Sequence, residues 1–163
     1  MKNIILFRHA EYSWNEPLLN NYDKPLNDTG IEAAKKMGKY LSQKNEIPEI
    51  VISSTATRAK QTIKIAMKEG KWDRPISFNK IIYSGTTNDL LNIIKKQNDQ
   101  YNSICIVGHE PKFSNFIDLS VNSENTYFPT ATMAKIIFET NKWNLIEFGF
   151  GNLKWLISPK DLH

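Results

Sequence analysis

Arg8 and His9 stand directly after the apolar run Ile4-Ile5-Leu6-Phe7. Two hydrogen-bonding, cation-forming side chains at the end of a buried strand have two readings. They are either an accident of packing, or they hold an anion that the imidazole attacks. Two further residues bear on the choice. Arg58, in SSTATRAKQT, follows the second apolar run, EIVIS, and His109, in VGHEP, follows a third, SICIVG. The remaining histidine, His163, is the last residue. Taken singly, each has an ordinary explanation. A histidine after a strand is commonly a satisfied loop residue. An arginine at the start of a helix is commonly a surface residue, there opposed by the helix dipole. Two histidines and two arginines at the carboxyl ends of strands, where open α/β sheets bind ligands, are explained together by an anion in the crevice.

A phosphoryl group in transfer is such an anion. Its charge spreads over three oxygens, and catalysis is mostly positioning and electrostatic stabilisation. Arginine offers a planar fork of donors that matches phosphate. A neutral imidazole can attack phosphorus in line and form a phosphohistidine that water hydrolyses, its other nitrogen being held by an acceptor that fixes the tautomer. A second histidine, protonated, would add charge at the equatorial oxygens. No HExxH, paired cysteines or tight aspartate cluster suggests a metal. No GxxxxGK[ST] or GxGxxG loop suggests a nucleotide, so neither metal nor cofactor is expected. The aspartates of DKPLND read as a turn and a helix cap.

The elements that must position these residues alternate. Residues 3–7 read as a short buried strand. A helix follows from residue 29, with Ile31, Ala34, Met37, Gly38 and Leu41 on one face and Asp28 or Thr29 as its cap. Residues 49–53 form a second strand, and the next helix carries Ala59, Ile63, Ala66 and Met67 along one side. Residues 75–84 read as a third strand with a trailing loop, and TNDLLNIIKKQ as a helix capped by Thr87 or Asn88. Residues 103–108 are a fourth strand, and Pro111 opens a helix through Phe113, Phe116 and Ile117. MAKIIFE and GNLKWLIS are strands without a helix between them, closing an edge of the sheet, and 143–150 reads as a turn and short strand. The alternation predicts a three-layer α/β/α sandwich on a mainly parallel sheet. With no repeat or linker, residues 1–163 are expected to be a single domain.

Bulk properties agree with this and exclude other classes. The chain has 163 residues, 40% hydrophobic and 23% charged, enough for a sizeable core. No apolar run approaches the roughly 20 residues of a membrane span, and the N-terminus lacks a secretory signal pattern. A cytoplasmic protein without a membrane partner is expected. The formal charge of +4 is scattered over helix faces, as at Lys35-Lys36 and Lys95-Lys96, so no nucleic-acid partner is expected. Cys105, the only cysteine, reads as a buried, inert thiol. Trp14, Tyr22 and Phe128 read as exposed aromatics that either form a recognition rim or pack.

Arg8-His9-Ala10, SSTATRAKQT and VGHEP together resemble the three signature segments of the histidine phosphatase superfamily, which shares the phosphoglycerate mutase-like fold. Ala10 stands where the usual signature has glycine, so backbone approach there is expected to be slightly tighter. YDKPLNDTGIEAA and FPTATMA extend the similarity to the short SixA-like phosphohistidine phosphatases, from about residue 4 to SPKDL. The resemblance implies His9 as the phosphorylated nucleophile, with Arg8, Arg58 and His109 completing the phosphate pocket. Asn15 falls where the mutase branch places a phosphate-contacting asparagine, although a turn-forming asparagine is equally natural. The general acid of larger members comes from an insertion after the third strand, and residues 80–89 are too short to hold it. Asp89, the only acid there, reads as the start of a helix. Glu110 is the candidate acid and Glu11 a second, each equally readable as a solvated charge.

The missing acid bears on substrate. An alkoxide leaving group needs a proton in the transition state, whereas imidazole leaving a phosphohistidine takes one from solvent. The expected function is therefore a metal-independent phosphatase acting on phosphohistidine in a phosphorylated protein. The alternatives are a phosphomonoesterase for a small phosphorylated molecule and a non-catalytic phosphate-binding module. A mutase is disfavoured, because no segment for reorienting a diphosphorylated intermediate is evident.

Overall fold

The computed structural model describes residues 1–162; His163 lies outside them. The strands are β1 (Lys2–Arg8), β2 (Ile50–Ser53), β3 (Ile76–Phe78), β4 (Ser103–Gly108), β5 (Met133–Phe138) and β6 (Gly151–Ile157). They form one sheet in the order β3-β2-β4-β1-β5-β6. The first four are mutually parallel, and β5 and β6 close the far side antiparallel. The helices are α1 (Asp28–Gln43), α2 (Thr57–Gly70), α3 (Ile81–Ser84), α4 (Thr87–Lys95) and α5 (Lys112–Val121). The expected mixed α/β architecture, with a central sheet flanked by helices, is the one observed.

Alternation along the strands builds two cores. Ile4, Leu6, Ile104 and Ile106 face one way, packed with Leu90 and Ile94 of α4 and Phe113, Phe116 and Ile117 of α5. Ile5, Phe7, Cys105 and Val107 face the other way, against Ala34, Met37 and Leu41 of α1 and Ala59, Ile63 and Ala66 of α2. Residues two apart on a strand share a face, so central strands covered on both sides must be apolar throughout. Cys105 is fully buried, and burial raises its thiol pKa, as expected of an inert side chain. Helices α1 and α2 can approach closely because Gly38 has no Cβ, which would overlap the Ala66 carbonyl. Among the described residues no helix is long and apolar enough to cross a membrane.

The boundaries depart from the sequence expectations in several places. Helix α1 is capped by Asn27, whose side chain accepts the Gly30 N–H, and not by Asp28 or Thr29. Thr86, not Thr87 or Asn88, caps α4 in a reciprocal box with Asp89. The third strand stops at Phe78, because the Asn79 side chain accepts the Ile81 N–H and turns the chain into α3. Ile82 is buried while Ile81 and Ser84 are exposed, a helical rather than an alternating pattern. In the segment 143–150 there is a single 3₁₀ turn, Trp143–Leu145, and no strand. Its buried residues, Trp143 and Ile146, are three apart. Phe128, expected at the surface, is only 2% exposed and packs edge-to-face on Phe113. Trp14 is exposed and Tyr22 half-buried.

Candidate active site

The end of β1 is clamped from both sides. The His9 N–H donates to the Gly108 carbonyl of β4 (3.0 Å), and the His9 carbonyl accepts from the Ala131 N–H (3.0 Å). The imidazole Nδ1 lies 2.9 Å from the Ala10 carbonyl. Since a carbonyl only accepts, a neutral ring places its proton on Nδ1 and its lone pair on Nε2. His9 is buried, and burial lowers its pKa to about 3, with Arg58 and Arg8 adding to the effect against the opposing Ala10 bond. The ring is therefore an uncharged base at neutral pH. Ala10, fully buried, donates its own N–H to Thr62 Oγ1 (2.9 Å), and Thr62 donates in turn to the Arg58 carbonyl (2.7 Å). One threonine thus ties the segment after β1 to the first turn of α2.

Both arginines are anchored by one arm. Arg8 Nη1 donates to the Phe128 carbonyl (2.9 Å) and Arg58 Nη1 to the Asn21 carbonyl. Arg58 is buried, and its guanidinium carbon lies 4.6 Å from the ring centre of Tyr12 and 5.9 Å from that of Tyr83. Tyr22 packs edge-on against Tyr83 and donates to Thr55 Oγ1 (2.6 Å). The Nε atoms of Arg8 and Arg58 are both buried without a partner.

His109 follows Gly108, the last residue of β4, and its ring centre lies 5.2 Å from that of His9. Its Nε2 is 2.7 Å from Ser54 Oγ, while its Nδ1 is buried without a partner. Burial, with His9, Arg58, Lys112 and Arg8 nearby, lowers its pKa to about 2. The expectation of a protonated second histidine is thus not met in the free protein, because burial disfavours the charged ring and the neighbouring cations add to the effect. Beside it a cleft of about 380 Å³ is lined by residues that include Tyr83, Thr86, His109, Glu110 and Lys112.

The structure brings Arg8, His9, Arg58 and His109 together. It does not bring Asn15 to them: this residue is exposed in a turn, and no hydrogen bond of its side chain reaches the cluster. Glu110 borders the cleft, but its Oε1 accepts the Ser114 N–H (2.6 Å) and caps the first turn of α5. Glu11 is exposed and accepts from Asn27 Nδ2 (3.0 Å). Asp89 is committed to the Thr86 N–H (2.8 Å). Sequence reasoning missed Tyr12, Tyr83, Ser54 and Thr62. Thr62 and Ser54 each lie four residues from Arg58 within the quoted segment, a proximity that could have drawn attention to them. The tyrosines carry no such signal. Among the described residues no group of three or more histidine, cysteine, aspartate or glutamate side chains could hold a metal ion.

Four buried side-chain polar atoms in the described residues lack a hydrogen-bond partner, and three of them belong to Arg8, Arg58 and His109. Unsatisfied buried groups are costly and rare in folded proteins. The grouping of these three residues, with a neutral His9 beside them, suits an oxyanion bearing several acceptors, held in a region of positive potential and open to attack by imidazole.

Residues 4–80 match the family model of the histidine phosphatase superfamily (branch 1). Over 117 residues the chain is 33% identical to an uncharacterised chloroplastic protein of Arabidopsis thaliana, a stretch covering 66% of this chain and 54% of that protein. It thus spans about half the length of that relative. Over 73 residues it is 36% identical to a 2,3-bisphosphoglycerate-dependent phosphoglycerate mutase of Erythrobacter litoralis, covering 42% of this chain and 31% of the mutase. Among solved structures it is similar in fold to the protein histidine phosphatase SixA complexed with tungstate, with a TM-score of 0.84, 17% identity and 98% coverage of each chain.

Proposed function

We propose that this chain, a member of the histidine phosphatase superfamily, is a metal-independent phosphatase that works through a phosphohistidine at His9 and removes phosphate from phosphohistidine in proteins. The observation that carries the reading is the grouping of Arg8, Arg58 and His109, each with a buried nitrogen that lacks a partner, around a His9 whose Nδ1 is held by its own chain. In the first step the lone pair of His9 Nε2 forms the N–P bond while the bond from phosphorus to the leaving group breaks. The leaving group keeps that electron pair and takes a proton from solvent. In the second step water attacks phosphorus, the N–P bond breaks, and inorganic phosphate leaves. Arg8, Arg58 and His109 donate to the phosphoryl oxygens as charge develops.

The protein substrate is supported by how the nearby carboxylates are used. Asp89 is held in a helix cap, Glu11 holds Asn27, and Glu110 holds the start of α5. A leaving group that needs no carboxylic acid, such as imidazole, suits this arrangement. Dephosphorylation of a small phosphate ester is the second reading. It is favoured by the similarity to the Erythrobacter litoralis mutase and by the second oxygen of Glu110, which makes no hydrogen bond within the described residues.

The first test is hydrolysis of a chromogenic aryl phosphate in excess chelator, wild type beside His9→Ala. Turnover that survives the chelator and vanishes in the variant is expected. Equal activity in the variant would remove His9 from the chemistry, and phosphate binding without turnover would favour a binding module. Phosphohistidine protein and phosphoserine, compared at equal concentration, then decide between the two substrates.

A further inference from the structure

Ser54 is not among the residues that the chemistry above uses, yet it is fully buried and touches the site. It lies just beyond β2, and its Oγ has two neighbours: the Ala56 N–H, which donates to it over 3.1 Å, and His109 Nε2 at 2.7 Å. Ala56 is the N-cap of α2 and cannot satisfy that end with its own side chain, so the serine oxygen supplies the acceptor there.

A hydroxyl has one proton and two lone pairs, and this decides how Ser54 meets His109. If His109 Nε2 carried the imidazole proton, it would donate to Ser54 Oγ. The Ser54 hydroxyl proton would then be buried with no acceptor among the described residues. His109 Nδ1 would be a bare lone pair, also buried without a partner. The reverse arrangement leaves one loose end. Ser54 accepts from Ala56 and donates to Nε2, the ring proton sits on Nδ1, and the only unpartnered group is an N–H that a phosphoryl oxygen can satisfy. Leaving a buried polar group unpaired is costly, so the count of unpaired groups selects the second arrangement.

We infer that Ser54 is a positioning residue: its hydroxyl donates to His109 Nε2, locks the imidazole in the Nδ1–H tautomer, and so makes His109 an uncharged hydrogen-bond donor to the bound phosphoryl group. The assignment of that donor rests on the phosphatase reading; the tautomer itself does not. Its low pKa agrees, since a ring that stays neutral can donate only from the nitrogen its tautomer protonates. The two histidines then share a tautomer for opposite ends. In His9 the Ala10 carbonyl accepts from Nδ1–H and leaves Nε2 free to attack, and in His109 the Ser54 hydroxyl donates to Nε2 and leaves Nδ1–H free to donate.

The test is ¹⁵N NMR of the histidine rings in the full chain at neutral pH, with and without inorganic phosphate, for the wild type, Ser54→Ala and Ser54→Thr. The wild type is expected to show His109 Nε2 as the unprotonated nitrogen and Nδ1 as the protonated one, with the Nδ1–H signal moving when phosphate binds. Ser54→Ala is expected to mix the tautomers and weaken phosphate binding roughly 5- to 30-fold, the factor for one or two kcal/mol. Ser54→Thr, which keeps the hydroxyl, is expected to restore both. Finding the proton on His109 Nε2 in the wild type overturns the inference, even if the alanine variant does not fold. A wild type with the expected tautomer but no aryl phosphate turnover would instead count against the phosphatase reading, leaving the positioning role of Ser54 intact.

Discussion

The imidazoles of His9 and His109 lie with ring centres 5.2 Å apart, tilted by 48°. Each has one nitrogen engaged by the protein, His9 Nδ1 by the Ala10 carbonyl and His109 Nε2 by Ser54. Two protonated rings at this separation, beside the half-buried Arg8 and the buried Arg58, would repel strongly in a medium of reduced dielectric. Neutral rings fit it, and a phosphoryl dianion supplies the charge that the arginines lack.

A covalent adduct on His9 is the most direct consequence. Rapid quenching during turnover of an aryl phosphate should trap phosphate on the chain in an acid-labile, alkali-stable form, as expected of a phosphoramidate. His9→Ala should trap none. Label that persists in the variant would place the covalent step on another residue.

Arg58 is buried, stacked on Tyr12 and held to the Asn21 carbonyl, so its free nitrogens are pre-aimed and cost no reorganisation. Arg58→Ala should lower kcat/KM on the order of 10²–10³-fold, the usual loss for one preorganised donor to a developing oxyanion. Arg58→Lys should recover little, because a point charge cannot reproduce an anchored planar fork. Steady-state kinetics on the aryl phosphate read both effects.

Stability should fall in mild acid. His9 and His109 have folded pKa values of about 3 and about 2, below the ordinary 6.5, so the unfolded chain binds more protons than the folded one between these values. Their contribution is present above pH 6.5, begins to decline as the pH falls through that value, and continues down toward the folded pKa values. Each histidine adds a slope of up to about 1.4 kcal/mol per pH unit in that window. Urea midpoints of the wild type should therefore drop between pH 7 and pH 4 more steeply than those of His9→Asn, whose side chain does not titrate. Parallel curves would show that His9 is not held neutral.

Thr62 joins the segment after β1 to α2 through two hydrogen bonds. Thr62→Val keeps the volume but leaves the buried Ala10 N–H unpaired, a loss of about 1–3 kcal/mol. The urea midpoint should fall with an unchanged slope, and kcat should fall with it, because Ala10 also positions the His9 ring. A variant of unchanged stability would mean that the Ala10 N–H finds another acceptor.

Several features of this protein are legible in the residues alone. Apolar runs of four to six residues, each followed by a helical period, dictate parallel strands crossed by helices, since only that arrangement covers both faces of such strands. The same order puts Arg8, His9, Arg58 and His109 at one rim, because successive parallel strands end on the same side. Local competition fixes the boundaries less visibly. Asn27 and Thr86 cap helices one residue ahead of the more obvious candidates, and Asn79 ends β3 early, because a side-chain bond to a nearby N–H is decided by backbone angles that neighbouring residues share. Contacts between distant segments belong to the tertiary structure alone. Asn15 is placed in solvent, Glu110 is given to a helix terminus, and Phe128 is drawn into the core while its carbonyl anchors Arg8. The neutrality of both histidines and the meeting of Ser54 with His109 are of this kind. Burial and the position of a hydroxyl fifty-five residues away depend on how the strands pair, and no local pattern encodes them.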